Sequence, residues 1–228
     1  MTGPDDDLFA WLIAPVTRSR FFQEVYAREP LVTEQGQPDR FSEVLTLDQL
    51  ERSLRQPGFI DGGPTKMRHG DPVRSEPVRQ VEDVYAGLAR GWTLQLGDPH
   101  KRFDQDRLIV RIARALEAEL GQAPTLGALF LTPPGTQGLA RHHDQMDIFT
   151  LQISGAKTWE LYEGLPPERV DELSSDAELI PQYRDRVTAG ETLYLPRGVP
   201  HRVVSDKPAD ADGPAGPGQT SLSLAYGF

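Results

Sequence analysis

From Asp7 to about Gln56 apolar residues recur three or four apart, in LFAWLIAP, SRFFQEVYAREP and TLDQLERSLRQ, with Pro or Gly between the runs. That spacing predicts amphipathic helices. The stretch from Pro57 to Val78 is rich in Gly, Pro and charge and has no period, so it reads as a loop or irregular strands. A short helix (VEDVYAGLARG), a strand (WTLQLG) and a longer amphipathic helix (QDRLIVRIARALEAELG) follow. Gly121 closes the last of these, as a helix C-terminus favours.

Past Thr125 the pattern shifts to strands and turns: LGALFL, DIFTLQI, TWELYE, ETLYLP, HRVVS and SLSLAYGF, punctuated by PPGTQG and SGAK. A β-sandwich or barrel is expected here. Within DIFTLQI, Phe149, Leu151 and Ile153 alternate with Ile148, Thr150 and Gln152. One face is wholly apolar and the other mixed, which suits a strand between a packed layer and a polar cavity. Lys207 to Gln219 (KPADADGPAGPGQ) has nothing that packs and is expected to be a flexible hairpin loop.

Composition narrows the chemistry. At 228 residues one catalytic unit with a full core is expected. The 34 acidic and 24 basic residues leave a net charge of -10, which disfavours a nucleic-acid backbone as partner and suits a basic peptide or a small molecule. Cysteine is absent, so any metal must be held by His and carboxylate. The first apolar run, Leu8 to Ala14, follows three aspartates and is too short to span a bilayer; no membrane association and a cytoplasmic location are expected.

Three residues stand out. His142 and Asp144 lie two apart at the start of an expected strand, so alternation turns both to one face. His201 follows GETLYLPRGVP, where a strand and a Pro/Gly turn can return it across the sandwich. Two imidazoles and a carboxylate on one side of an ion leave the opposite positions open, the ligand set of non-haem iron(II) oxygenases. His143 falls on the other face, with a structural or substrate-facing role. His69 and His100 read as solvent-exposed histidines, Asp147 as an exposed carboxylate near the mouth, and Trp159, Leu161 and Tyr162 as core and rim. Arg197 reads as a residue that fixes the turn before His201 or meets substrate, the structural role being favoured.

The run ALFLTPPGTQGLARHHDQMDIFTLQISGAKTWELYE and the later AGETLYLPRGVPH resemble the JmjC-type, cupin-fold ribosomal oxygenases, a branch of the 2-oxoglutarate-dependent protein hydroxylases. TPPG-T-QG, H-x-D, LQ-x-x-G-x-K-x-W and G-x-x-LYLPRG-x-x-H occur in the family's order. The similarity covers most of residues 81 to 206, with a weaker echo in SRFFQEVYAREPL. It implies an α+β, mainly β fold: a double-stranded β-helix (jelly-roll, or cupin) core with N-terminal helices. The chain is expected to be a single catalytic domain over 1–228, with a helical entry region and loop over 1–80 and a helix-flanked jelly roll over 81–228.

Family members use iron(II), oxygen and 2-oxoglutarate to hydroxylate a protein side chain, releasing succinate and carbon dioxide. The resemblance implies His142, Asp144 and His201 as iron ligands. It implies Lys157 as the partner of the distal carboxylate of 2-oxoglutarate, a charge that would be costly to bury unpaired. Ala128 and Phe130 stand where relatives carry an Asn and a Tyr that help hold the co-substrate. Thr132, or Ser221 and Ser223, are candidate substitutes, and Thr132 and Ser223 are assigned to co-substrate binding here. Relatives continue into a helical dimerisation segment and a winged-helix-like region, whereas this sequence stops at Phe228; it is either truncated or a minimal version, and dimerisation by that route is not expected for the chain as it stands. The implied partner is a protein or peptide substrate, basic or ribosomal, without direct nucleic-acid binding. A cupin-fold binding or regulatory module without turnover, suggested by Ala128 and Phe130, is the alternative, and succinate formation separates the two.

Overall fold

The structure, a computed structural model, describes residues 7–33, 36–163, 180–206 and 220–228. Helices form where the apolar spacing called for them. Helix α1 (Leu8–Ile13) starts at Asp7, whose side chain accepts from the Ala10 N–H. The three-residue α2 (Arg18–Arg20) runs into a wider turn over Phe21–Val25. Helix α3 (Leu47–Leu54) opens with a reciprocal Thr46/Gln49 capping box, which satisfies two otherwise orphaned N–H groups. Helices α4 (Val81–Ala89), α5 (Pro99–Arg102) and α6 (Leu108–Leu120) follow. Helix α6 buries Leu108, Ile109, Ile112 and Leu116 on one face and ends at Gly121, whose φ of 73° is the left-handed conformation glycine adopts without steric cost.

Eleven strands occur among the described residues. They are β1 (Leu31–Val32), β2 (Thr65–His69), β3 (Arg74–Pro77), β4 (Thr93–Gly97), β5 (Leu126–Thr132), β6 (Ile148–Ser154), β7 (Ala156–Tyr162), β8 (Pro181–Thr188), β9 (Thr192–Leu195), β10 (His201–Ser205) and β11 (Ser221–Gly227). Eight make one sheet in the order β1-β9-β6-β11-β5-β4-β2-β3, and three make a second in the order β10-β7-β8. Every pairing is antiparallel. Two facing sheets with helices behind the larger one make the mainly β, α+β jelly roll that was expected.

Strand alternation divides the large sheet into two faces. Phe149, Leu151, Ile153, Leu129, Leu222, Leu224 and Tyr226 point outward into a core shared with α1, α3 and α6, and the Tyr226 hydroxyl donates to the Ile109 carbonyl at 2.6 Å. Burial of these side chains, at ~1.5–3 kcal/mol each, is the main force holding helices to sheet. The opposite face, with Ile148, Leu195 and Ala225, meets Trp159 and Leu161 of the small sheet in a second, smaller apolar cluster. This inner face also carries polar residues, so the space between the sheets is only partly filled.

One open reading is decided and one element was not expected. Residues within Pro57–Val78, expected to be a loop or irregular strands, form β2 and β3 and extend the large sheet beyond β4. Their Gly/Pro punctuation marks the hairpin turn rather than an absence of strands. PQYRDRVT, for which no element was expected, is β8, an edge strand with mostly exposed side chains. Its charged alternation lacks the apolar face from which strands are read, and charge on an edge strand opposes pairing with other chains. Lys207 to Gln219 lies outside the described residues. No helix among the described residues is long and apolar enough to cross a membrane.

Candidate metal centre and its cavity

His142 and His201, far apart in sequence, are joined by a two-residue antiparallel bridge. The His142 N–H donates to the His201 carbonyl at 3.0 Å and the His201 N–H to the His142 carbonyl at 2.7 Å. This reciprocal pair sets the two residues directly opposite each other, and the imidazole centroids lie 4.4 Å apart. Asp144 is held nearby because its carbonyl accepts the Gly198 N–H at 2.8 Å, tying the His142 loop to the turn before His201. One oxygen or nitrogen from each of His142, Asp144 and His201 lies within 4.8 Å of the other two. His142 and Asp144 sit in the loop preceding β6 rather than in the strand itself, so the His142–His201 bridge and the Asp144–Gly198 backbone bond, not strand alternation, bring the three side chains together.

The ring orientations suit an ion. His142 Nδ1 lies 2.9 Å from the Ala140 carbonyl and His201 Nδ1 lies 3.0 Å from the Val199 carbonyl. Each Nδ1–H therefore donates to a backbone oxygen, which fixes the tautomer and leaves Nε2 free as a ligand. Both Nε2 atoms face Asp144, at 3.9 Å for His142 and 3.7 Å for His201. Burial, and then the neighbouring His142, push the His201 imidazole down to about 4, so it is neutral, the form that binds metal. The donor set of two imidazoles and one carboxylate with an open side fits iron(II).

A cavity of about 440 Å³ opens beside these three side chains. Its small-sheet wall follows from register: Ser205 pairs with Lys157, Val203 with Trp159 and His201 with Leu161, and paired residues in a ladder point to the same face. Lys157 thus shares the His201 side of the sheet. Its Nζ donates to Ser223 Oγ at 2.8 Å and stands 5.3 Å from the centre of the Phe130 ring. Burial alone pushes the ammonium down to about 7, the signature of a cation held without a counter-charge. Ser223 and Thr132 both line the cavity, although the Thr132 hydroxyl already accepts from Thr93 Oγ1 at 3.3 Å. Ser221 takes a hydrogen bond from Gln152 instead. Phe130 faces the cavity, whereas Ala128 is not among the lining residues.

Several expectations are corrected. Asp147 is buried, not solvated: its carboxylate accepts from the Tyr194 hydroxyl at 2.7 Å and the Arg197 N–H at 3.3 Å, bracing the Pro196–Val199 turn. Neither His69 nor His100 is simply exposed. His69 stacks on Trp92 with centroids 5.8 Å apart, and His100 is half-buried beside Tyr226. Trp159 belongs to the site as well as to the core, its ring centroid 5.5 Å from that of His201. Arg68, Thr93 and Gln95 also line the cavity; they lie on β2 and β4, and Arg68 falls in the segment expected to be a loop or irregular strands, whose function the sequence did not show.

A jelly roll with His-x-Asp and a distant His converging at one end of the cavity defines a cupin-type metal-site protein. Residues 99–211 match the family model described as JmjC domain. It is 27% identical over 211 residues to the bifunctional lysine-specific demethylase and histidyl-hydroxylase NO66 of Drosophila erecta, across 86% of this chain and 31% of that protein. It is 29% identical over 209 residues to ribosomal oxygenase 1 of Gallus gallus, across 86% of this chain and 34% of the relative. Its fold resembles that of Escherichia coli YcfD, a ribosomal oxygenase solved in complex with cobalt and 2-oxoglutarate, with TM-score 0.63 and 18% identity across 94% of this chain and 52% of that one. The chain therefore spans about a third of these curated relatives and about half of that solved chain.

Proposed function

We propose that this chain is an iron(II)- and 2-oxoglutarate-dependent oxygenase that hydroxylates a side chain of a protein or peptide. The observation that carries the proposal is a single cavity shared by the His142, Asp144 and His201 side chains and a buried Lys157 lacking a counter-charge. The names of the relatives point the same way. A ribosomal target follows from them, a basic one from the chain's net charge of -10, and the cytoplasm is the compartment that such a target implies.

In this reading His142 and His201 offer Nε2, and Asp144 offers a carboxylate oxygen, from one side of the ion. Iron(II) with 2-oxoglutarate and oxygen supplies the oxidising power to hydroxylate an unactivated C–H bond. Lys157, steadied by Ser223, takes the distal carboxylate of 2-oxoglutarate, and Thr132 lies on the neighbouring strand of the same wall. Binding of that carboxylate keeps the Nζ proton in place where burial alone would release it near neutral pH. Trp159 and Phe130 exclude water around the two groups, which strengthens the charge–charge contact.

Phe130 at the Lys157 ammonium, where relatives are expected to have a hydroxyl, favours one rival, a binding module without turnover. Calorimetric titration of 2-oxoglutarate into the manganese-loaded protein, followed by a succinate assay on the iron-loaded protein, tests both. Binding with succinate formation is expected. Absence of 2-oxoglutarate binding would overturn the oxygenase reading, and binding without succinate in the presence of ribosomal protein would favour the rival.

A further inference from the structure

The inner wall of the cavity runs from Leu195 on β9 across the sheet to Arg68 on β2. Three described lining side chains carry full charges: Asp144, Lys157 and Arg68. Under the reading above, Asp144 belongs to the ion and Lys157 to the distal carboxylate, while iron(II) and 2-oxoglutarate bring equal and opposite charge. The loaded cavity is left with one positive charge in excess, that of Arg68. The Arg68 Nε is buried and has no hydrogen-bond partner among the described residues, and the same holds for Gln95 Oε1. Arg68 pairs across the ladder with Thr93, two residues from Gln95 on the same face of β4, so the two long side chains are diagonal neighbours. A buried donor and a buried amide oxygen left unsatisfied are each costly, and two such orphans side by side in a cavity point to a ligand.

We propose that Arg68 and Gln95 form an anion subsite that receives a carboxylate carried by the protein or peptide substrate. The proposal rests on the oxygenase reading, since it assigns Lys157 to the co-substrate. A guanidinium fork grips a carboxylate through paired N–H donors, and half a turn of the Gln95 amide adds a further donor, its terminal torsion being two-fold and soft. Burial without a counter-charge holds Arg68 below the usual guanidinium range, a strain an incoming carboxylate relieves. The subsite divides recognition in two: the negative net charge draws in a basic target, and Arg68 fixes the register of that target through one acidic residue close to the reacting side chain.

The test uses the manganese- and 2-oxoglutarate-loaded full chain and capped glycine pentapeptides carrying a central Asp, Asn or Lys. Binding is read from manganese-induced broadening of the peptide's proton resonances. The Asp peptide should bind at least about tenfold more tightly than the isosteric Asn peptide. Arg68→Met should abolish that preference, and Arg68→Glu should transfer it to the Lys peptide. Affinity for 2-oxoglutarate, measured by calorimetry, should stay within about twofold in both variants. Equal binding of the Asp and Asn peptides by the unmodified protein, or their absence from the cavity, overturns the proposal. Loss of 2-oxoglutarate affinity in Arg68→Met also overturns it, because Arg68 would then serve the co-substrate. Failure of the unmodified protein to bind 2-oxoglutarate defeats the oxygenase reading instead.

Discussion

Replacing Lys157 by Met should stabilise the ligand-free fold while abolishing co-substrate binding. Burial lowers the ammonium from 10.5 to about 7, and a shift of this size corresponds to a folding cost of about 5 kcal/mol when the group is charged in the unfolded chain. Methionine has a similar shape and no charge to desolvate, but it strips the buried Ser223 hydroxyl of its Nζ donor, returning about 1 kcal/mol. The net gain should be about 4 kcal/mol below pH 7. The sign of its pH dependence is fixed by proton uptake: between pH 7 and 10.5 the unfolded chain binds more protons than the folded one, so the unmodified protein gains stability as pH rises. The lead of Lys157→Met should shrink by about 1.4 kcal/mol per pH unit across that window. Urea unfolding of both proteins, free of metal and 2-oxoglutarate, at pH 6 and pH 9.5 measures this directly. A variant less stable than its parent at pH 6, or equally ahead at both pH values, would refute the view that an uncompensated cation sits in the cavity.

Asp144→Ala, at a partly exposed position, should lower manganese affinity by at least about 100-fold, since loss of a supporting hydrogen bond alone costs 10–100-fold; calorimetry reads it, with the metal-free unfolding transition little changed. Tyr194→Phe should destabilise by about 1–3 kcal/mol, because its hydroxyl links the Ala27 N–H at 2.8 Å to the buried Asp147 carboxylate; denaturant titration checks it, and an unchanged midpoint would show that the link carries no weight. Gly190→Ala should cost about 3 kcal/mol or more, because at φ 88° the added Cβ would fall 1.9 Å from the Gln37 carbonyl oxygen; thermal unfolding of the purified variant decides.

Much of the fold was legible because its signals are local. Residues Leu108, Ile112 and Leu116 repeat at helical spacing over about two turns, and Phe149, Leu151 and Ile153 alternate over one strand, so each element announces its own buried face. The candidate metal site was legible for another reason: few residue types bind iron, the chain has no cysteine, and three of its five histidines lie in the β half. Strand β8 was not legible, and β2 and β3 were legible only as loop or irregular strands, because β3 and β8 are largely polar edge strands and β2, an inner strand, buries only Thr65 and Met67. The burial of Asp147 was not legible because a carboxylate is ordinarily solvated, and only the approach of the Tyr194 hydroxyl from β9 and of the Arg197 N–H makes it tolerable.

The sequence by itself determined the alternation of apolar and polar positions, the absence of thiol ligands and the choice of His142, Asp144 and His201 as candidate metal ligands, all properties of residue type and near-neighbour spacing. Tertiary structure alone decided that His142 meets His201 through a reciprocal backbone pair, that Lys157 turns into the same cavity with no counter-charge, and that Arg68 joins it from a strand near the far edge of the sheet. These depend on register between strands distant in the chain, and register is set by how two sheets bury their faces against each other and the helices rather than by any local preference.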